Sequence, residues 1–203
     1  MKKRGVKKNL KVGGIRGLYS ESWNFLKASR NFVYISTALF FCFFIIGYFI
    51  QLPDSLLKPI LDMLKELMSE LEGKTLVELV WFIFFNNLKV AFIGIISGVF
   101  VGILPVFLII ANGFVPGIVA RMSVDAAGVG SLWRLLPHGI FELPAIFISF
   151  GLGIKIGSFI FEKRKFDALN FYFSKSMKVF FCIILPLLII AAIIEGVLIY
   201  LGG

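Results

Sequence analysis

The chain has 203 residues, of which 59% are apolar and only 16% are charged, and its mean hydropathy is +0.93. Soluble domains are about 45–50% apolar and about 25% charged. This composition excludes a soluble globular domain, a disordered chain and a collagen-like fibre. The formal net charge of +9 is unevenly spread, because residues 1–30 contain many lysines and arginines and one acid, Glu21.

Residues 1–30 predict a basic cytoplasmic leader that contains a short interfacial helix. Basic residues that precede an apolar span usually stay on the cytoplasmic side of a membrane. Leu18, Phe25 and Leu26 fall near one helix face, and Trp23 suits the headgroup region. Nucleic-acid binding is the competing interpretation, but residues 1–17 have no folded motif and no interleaved base-stacking aromatics. No nucleic-acid partner is therefore expected.

Residues 31–203 predict a single all-α integral membrane domain with about five transmembrane helices. A helix needs roughly 20 apolar residues to cross a bilayer. Asn112-Gly113 and Pro116-Gly117 interrupt the third segment, which we expect to be broken or re-entrant. Proline removes a backbone donor, so Pro105 and Pro144 predict helix kinks. The expected spans are at about 32–50, 86–104, 106–122, 138–161 and 179–200.

Residues 54–72 predict an amphipathic helix between the first two spans. Their apolar side chains recur at the i, i+3, i+4, i+7 spacing of a helix face. Acids outnumber lysines in this segment, which places it outside the cytoplasm. The basic cluster Lys163–Lys165 marks the cytoplasmic side again. Five crossings of the cell (plasma) membrane, with the N-terminus cytoplasmic and the C-terminus outside, satisfy the positive-inside rule.

Two predicted helices carry small residues at every fourth position. Such a stripe lets another helix backbone approach closely, and it is common in any membrane bundle. The pattern therefore predicts helix packing and does not by itself indicate transport. The residues are Gly94, Gly98 and Gly102 in one helix, and Ala145, Ser149, Gly153 and Gly157 in the other.

His138 and Glu142 lie four residues apart, so a helix would place them on one face. A carboxylate within an apolar span is costly, and it normally faces the protein interior and pairs there. In a structural interpretation these groups form a buried hydrogen-bond network that joins broken helices. In a functional interpretation the same groups line a translocation site for a proton, an ion or a small solute. The other members of this polar core are Asn86, Asn87, Asn112 and Lys89.

Catalytic and metal-binding motifs are absent from the sequence. There is no HExxH, no GxSxG and no P-loop. The single histidine cannot build a multi-histidine metal centre, and Cys42 and Cys182 lie far apart in apolar runs without a CxxC motif. We therefore expect no enzyme activity, no metal and no cofactor.

Three segments resemble a known family. These are Phe85-Asn86-Asn87 before a glycine-rich span, Ala111-Asn112-Gly113, and the block Leu136-Pro137-His138-Gly139-Ile140-Phe141-Glu142-Leu143-Pro144-Ala145. Together, over roughly residues 18–200, they resemble the stage II sporulation protein M family. The resemblance implies a polytopic helical membrane protein, and the sporulation members act in engulfment within a complex that includes cell-wall hydrolases.

Two functions follow as hypotheses. The first is a membrane scaffold or complex subunit in which the polar core is structural. The second is a transporter or channel in which Glu142 is the switchable charge and His138 shares its proton. The expected partners are the lipid bilayer and either another membrane protein or a second copy of the chain.

Overall fold

The computed structural model describes residues 14–202, apart from the side chains of Met68 and of residues 133–141. The described chain is helical and contains no strand, and five of its helices are long and apolar enough to cross a membrane. This confirms the predicted fold class. Residues 1–13 of the predicted leader lie outside the described residues. In chain order the helices are α1 (Ile15–Ala28), α2 (Arg30–Phe49), α3 (Asp54–Leu71), α4 (Leu76–Ile96), α5 (Ile103–Ala127), α6 (Leu136–Gly157), α7 (Lys165–Val179) and α8 (Leu185–Gly202).

The contacts between helices define their directions. The α1 end of the bundle is the end at which α2 begins, and the α3 end is the end at which α2 finishes. Val33 near the start of α2 contacts Gly151 near the end of α6, so these two helices are antiparallel. Helix α4 runs parallel to α6, and α8 runs antiparallel to α4, with Phe180 beside Phe92 and Gly196 beside Val80.

Helix α6 forms the centre of the bundle, because it packs against α2, α4, α5 and α8. Its apolar side chains Phe150, Leu152 and Ile156 are almost completely buried. Its carbonyl groups also receive polar contacts: the hydroxyl of Ser36 in α2 lies 2.7 Å from the carbonyl oxygen of Phe147 and is positioned to donate to it. Burial of both apolar and hydrogen-bonding groups therefore fixes α6 in place.

Glycine brings the backbones of α4 and α6 into direct contact. A Cβ atom added to Gly153 would overlap the carbonyl oxygen of Gly94 in α4, and one added to Gly98, in the 3₁₀ segment Ser97–Val99 that follows α4, would overlap the backbone of Gly153. One added to Gly157 would overlap the backbone of Gly102, which precedes α5, so only Gly94 of the first predicted stripe lies in α4 itself. Gly102 has a φ of +72°, a left-handed conformation that glycine adopts readily, and it is the residue immediately before α5. The two predicted stripes of small residues thus lie against each other. Ala145 and Ser149 are fully buried in the same helix, α6.

Helix α4 begins ten residues earlier than the predicted span 86–104. Thr75 and Glu78 form a capping box, in which each side chain bonds the backbone N–H of the other residue. No proline lies between Leu76 and Ile96, so the helix continues through Asn86 and Asn87 without a break. The α4 span then finishes in the 3₁₀ segment Ser97–Val99, before the predicted end.

Helix α5 differs from the predicted short or broken segment 106–122, because it is one continuous helix of 25 residues. Pro105 lies in its first turn, where the missing N–H has no partner to lose. Gly113 and Gly117 do not break the helix, since they pack against the backbones of Phe40 and Phe44 in the parallel helix α2. Gly113 and Gly117 therefore allow close packing of α5 on α2.

The last span is longer than the predicted 179–200. Helices α7 and α8 are joined by the π-helical segment Phe180–Ile184, giving a candidate span of 37 residues, Lys165–Leu201. At 1.5 Å per residue this helix is about 55 Å long, so it exceeds a hydrocarbon core of about 30 Å. The π segment ends two residues before Pro186, whose missing N–H removes one hydrogen bond of the ordinary helical pattern.

Helix α1 packs against α7 at the α1 end. Both lysines of the pair Lys175 and Lys178 donate hydrogen bonds to the Glu21 carboxylate, with the Lys178 Nζ 2.9 Å from Oε2. These bonds hold the pKa of Glu21 below its usual value of 4.5. The opposite face of α1 exposes Tyr19 and Trp23, as expected for an interfacial helix.

Helix α3 agrees with the predicted amphipathic segment 54–72. Its apolar stripe is half-buried at Leu57, Ile60 and Leu64, whereas Leu56 and Met63 are exposed. The helix connects the end of α2 to the start of α4 at the α3 end.

The α4–α6 contact predicts that Gly98→Ala destabilises the protein. The new methyl group would meet the backbone of Gly153, and overpacking of this kind typically costs about 1–3 kcal/mol. The thermal midpoint in detergent should fall by several degrees. Gly17→Ala is the matched control, since nothing lies within 4 Å of its added Cβ; equal midpoints for the two variants would contradict the contact.

The α1–α7 ion pair predicts a small, pH-dependent loss of stability in Glu21→Gln. The carboxyl pKa is lower in the folded chain than in the unfolded chain, so the contribution is complete above about pH 4.5 and disappears as the pH falls through the folded pKa. The side chain is 33% exposed, so we expect less than about 1 kcal/mol. Thermal midpoints of wild type and Glu21→Gln from pH 7 to pH 3 should converge at low pH. A difference that stays constant, or one that also occurs in the α3 control Glu66→Gln, would exclude this ion pair as the cause.

Candidate functional site

Asn86 and Asn87 lie near the middle of α4 and point in different directions. Consecutive helical residues are about 100° apart around the axis, so neighbours cannot share a face. Asn87 is buried, with 6% of its surface exposed, whereas Asn86 is exposed. Lys89 is also exposed. Of the three polar residues predicted for α4, only Asn87 therefore faces the interior.

Asn112 is half-buried in α5 and bonds to its own helix. Its side-chain nitrogen, Nδ2, donates to the carbonyl oxygen of Leu108 at 2.8 Å. This bond is local, because Leu108 is four residues earlier in the same helix. The amide group therefore supplies a donor to a carbonyl of α5 and does not connect α5 to α4. The structure thus places Asn112 and Asn87 in separate helices with different surroundings.

Glu142 lies in α6, toward the α3 end of the bundle, and its side chain is half-buried. It already interacts within the chain. The side chain of His138 is outside the described residues, so its pairing with Glu142 remains a prediction. Helix α6 is continuous through Pro144, which is exposed.

A polar cluster that the sequence analysis missed lies at the α3 end. The Nε of Arg121 in α5 is 2.8 Å from Oδ2 of Asp125, and the guanidinium lies 5.9 Å from the ring centre of Tyr48 in α2. A cavity of about 260 Å³ opens beside these groups and is also lined by Gln51 and Leu57. The i, i+4 spacing of arginine and aspartate was the signal that could have indicated the ion pair.

A second missed cluster lies at the α1 end, around Lys155 of α6. Its Nζ is 4.0 Å from the ring centre of Tyr172 in α7 and 5.1 Å from that of Phe32 in α2. The hydroxyl of Tyr172 donates to Glu162 at 2.7 Å. These contacts tie three helices together by cation–π attraction and a charge-assisted hydrogen bond.

Metal and redox chemistry find little support in the described part of the chain. Within it, no group of three histidine, cysteine, aspartate or glutamate side chains is close enough to hold a metal ion. Cys42 is exposed on α2, and Cys182 is half-exposed in the segment between α7 and α8. The expectation of no metal and no cofactor remains a prediction.

The exposed side of α4 combines aromatic and polar groups. We name it the α4 face and define it by Phe85, Asn86, Lys89, Phe92 and Ile93, all of which are exposed. At about 100° per residue, Lys89 lies inside the arc that the other four residues span. The α4 face therefore presents an amide and a cation within an otherwise apolar surface.

Comparison with known proteins gives one assignment. No curated protein and no solved structure matches the chain. A family model described as Stage II sporulation protein M matches residues 36–198, which is most of the chain and includes α4, α5 and α6. The chain is therefore a membrane protein that belongs to the stage II sporulation protein M family.

Proposed function

We propose that this chain is a non-enzymatic membrane scaffold or complex subunit. The observation that carries the proposal is the outward orientation of Asn86 and Lys89 in the middle of a membrane span. Polar groups are costly in lipid, and between transmembrane helices they act as contact groups. A surface of this kind supports assembly with another membrane component.

The competing function is transport of a proton, an ion or a small solute through Glu142 and His138. A transport path needs polar groups along the bundle interior. Asn86 and Lys89 face outward, Asn112 bonds within α5, and the backbones of α4 and α6 touch at Gly98 and Gly153. These placements favour a scaffold over a path between α4 and α6.

The proposal includes an orientation in the plasma membrane, with the α1 end cytoplasmic and the C-terminus outside. The described part of the α1 end is rich in lysine and arginine, whereas the polar face of α3 is acidic. The positive-inside rule relates orientation to the basic residues near the ends of spans. The charges at the α1 end therefore support its placement in the cytoplasm.

The scaffold function predicts that the purified protein drives no flux. We would reconstitute wild type and Glu142→Gln in liposomes, impose a pH gradient, and follow internal pH with a trapped dye. Both should match empty liposomes. Flux in wild type that is lost in a folded Glu142→Gln would overturn the scaffold proposal and make Glu142 part of a proton path.

The orientation predicts opposite labelling of two introduced cysteines. In a background of Cys42→Ala and Cys182→Ala, Lys65→Cys in α3 should react with an impermeant maleimide added to intact cells. Lys165→Cys at the start of α7 should react only in inverted vesicles. Both native side chains are exposed, so the substitutions should not disturb packing. Labelling of both positions from the same side would refute the proposed topology.

A further inference from the structure

The cavity beside Arg121 lies where helix α2 leaves the bilayer. Helix α2 has 20 residues and is therefore about 30 Å long, which matches a hydrocarbon core of about 30 Å. Gly117 of α5 packs against the backbones of Phe44 and Tyr48, so Arg121, one turn further on, lies level with the end of α2. The cavity is therefore at the depth of the lipid headgroups.

The lining of this cavity has one positive and one negative group. Among the described residues that line it, only Arg121 and Asp125 are charged, and both side chains are about half exposed. Arginine has five N–H donors, and within the described chain only the Nε of Arg121 is used, in its bond to Oδ2 of Asp125. The terminal nitrogens of Arg121 and the Oδ1 of Asp125 are therefore available to a ligand that carries both an anion and a cation.

The C-terminal end of α2 adds further negative charge to the lining. The last carbonyl groups of a helix have no N–H partner within the helix. Gly47, Tyr48 and Phe49 line the cavity, and within the described residues no backbone N–H donates to their carbonyl oxygens. Such carbonyls carry partial negative charge and favour a cation, above all one with N–H donors.

Apolar side chains lead from the cavity into the lipid. Phe49 and Ile50 line the cavity and are also exposed, and Ile45 and Ile46 are exposed one turn earlier on α2. With a volume of about 260 Å³, the cavity is smaller than the roughly 300–1,000 Å³ pockets that hold drug-sized ligands. It suits a lipid headgroup whose acyl chains remain outside, against the exposed side of α2.

Charge and hydrogen bonding select among phospholipid headgroups. Every phospholipid offers a phosphate to Arg121. A headgroup whose only charge is the phosphate would place a net anion beside Asp125. Choline carries a cation but no N–H group, so it cannot donate to a carboxylate or a carbonyl. Ethanolamine ends in a primary ammonium with three N–H donors, like the lysine side chain.

We propose that this cavity binds the phosphoethanolamine headgroup of a membrane phospholipid. The phosphate accepts hydrogen bonds from the terminal nitrogens of Arg121. The ammonium group donates to Asp125 and to the last carbonyl groups of α2, and the acyl chains lie along the exposed apolar side of α2. This binding site does not depend on the scaffold function.

Native mass spectrometry of the full chain in detergent tests the proposal, because each bound lipid adds its own mass. The probes are dilauroyl phosphatidylethanolamine, its N,N-dimethyl derivative and dilauroyl phosphatidylcholine. These lipids share the phosphate and the acyl chains and differ in the number of N–H donors. O-phosphoethanolamine, which is the headgroup without acyl chains, serves as a soluble competitor.

We expect wild type to bind the ethanolamine lipid about tenfold more tightly than the choline lipid, with the dimethyl lipid between them. Arg121→Gln should reduce binding of the ethanolamine lipid to background, and Asp125→Asn should remove most of the preference over choline. Arg164→Gln and Asp167→Asn are the matched controls, because they alter an exposed ion pair of the same chemistry at the α1 end. Both controls should retain the preference. All four side chains are largely exposed, so the variants should fold, which circular dichroism would verify.

Equal binding of the ethanolamine and choline lipids by wild type would overturn the proposal. So would a preference that survives in both Arg121→Gln and Asp125→Asn, because the lipid would then be bound elsewhere. Displacement of the lipid by an equal concentration of O-phosphoethanolamine would show that the acyl chains contribute nothing. That result would overturn the assignment of the site to a lipid.

Discussion

Backbone contact through glycine between α4 and α6 is the constraint on which the rest of the bundle depends. Gly98 and Gly153 allow the two helix axes to approach more closely than any side chain would permit. This approach brings α6 to the centre, where Phe150 and Ile156 are buried against the surrounding helices. It also fills the space between α4 and α6 with backbone atoms. Asn87, seven residues before Gly94, lies on the same helix face as these glycines and is buried, whereas Asn86 and Lys89 are exposed.

Much of the fold could be predicted because its signals are local. Apolar length gave the number of spans, and four-residue spacing gave the stripes that meet between α4 and α6. The continuity of α5 could not be predicted from the same rules. In water, Pro116 and its glycine neighbour would favour a break, whereas here Gly113 and Gly117 gain contact with α2 and support the helix. Tertiary packing thus outweighs local propensity in α5.

The site was less predictable than the fold, because a polar residue in an apolar span does not reveal which way it faces. Asn87 and Asn86 are adjacent in sequence, and only the arrangement of α6 and α8 around α4 decides that the first is buried and the second exposed. Lys89 is exposed on the same side of α4 as Asn86. A helical wheel separates these side chains into two faces, and the face of Asn87 also holds Gly94 and Gly98, so the predicted packing stripe was the signal that Asn87 is buried.

The parallel packing of α2 on α5 has a consequence for assembly in the membrane. Parallel helices cannot be joined by a tight turn, because the end of one and the start of the next lie a helix length apart, and here α3 and α4 separate them in the chain. Helix α2 is therefore synthesised well before the helix that covers Gly47, and its second neighbour, α6, follows later still. During ordered N-to-C synthesis, the first span therefore lacks its contacts with α5 until the third span has been inserted.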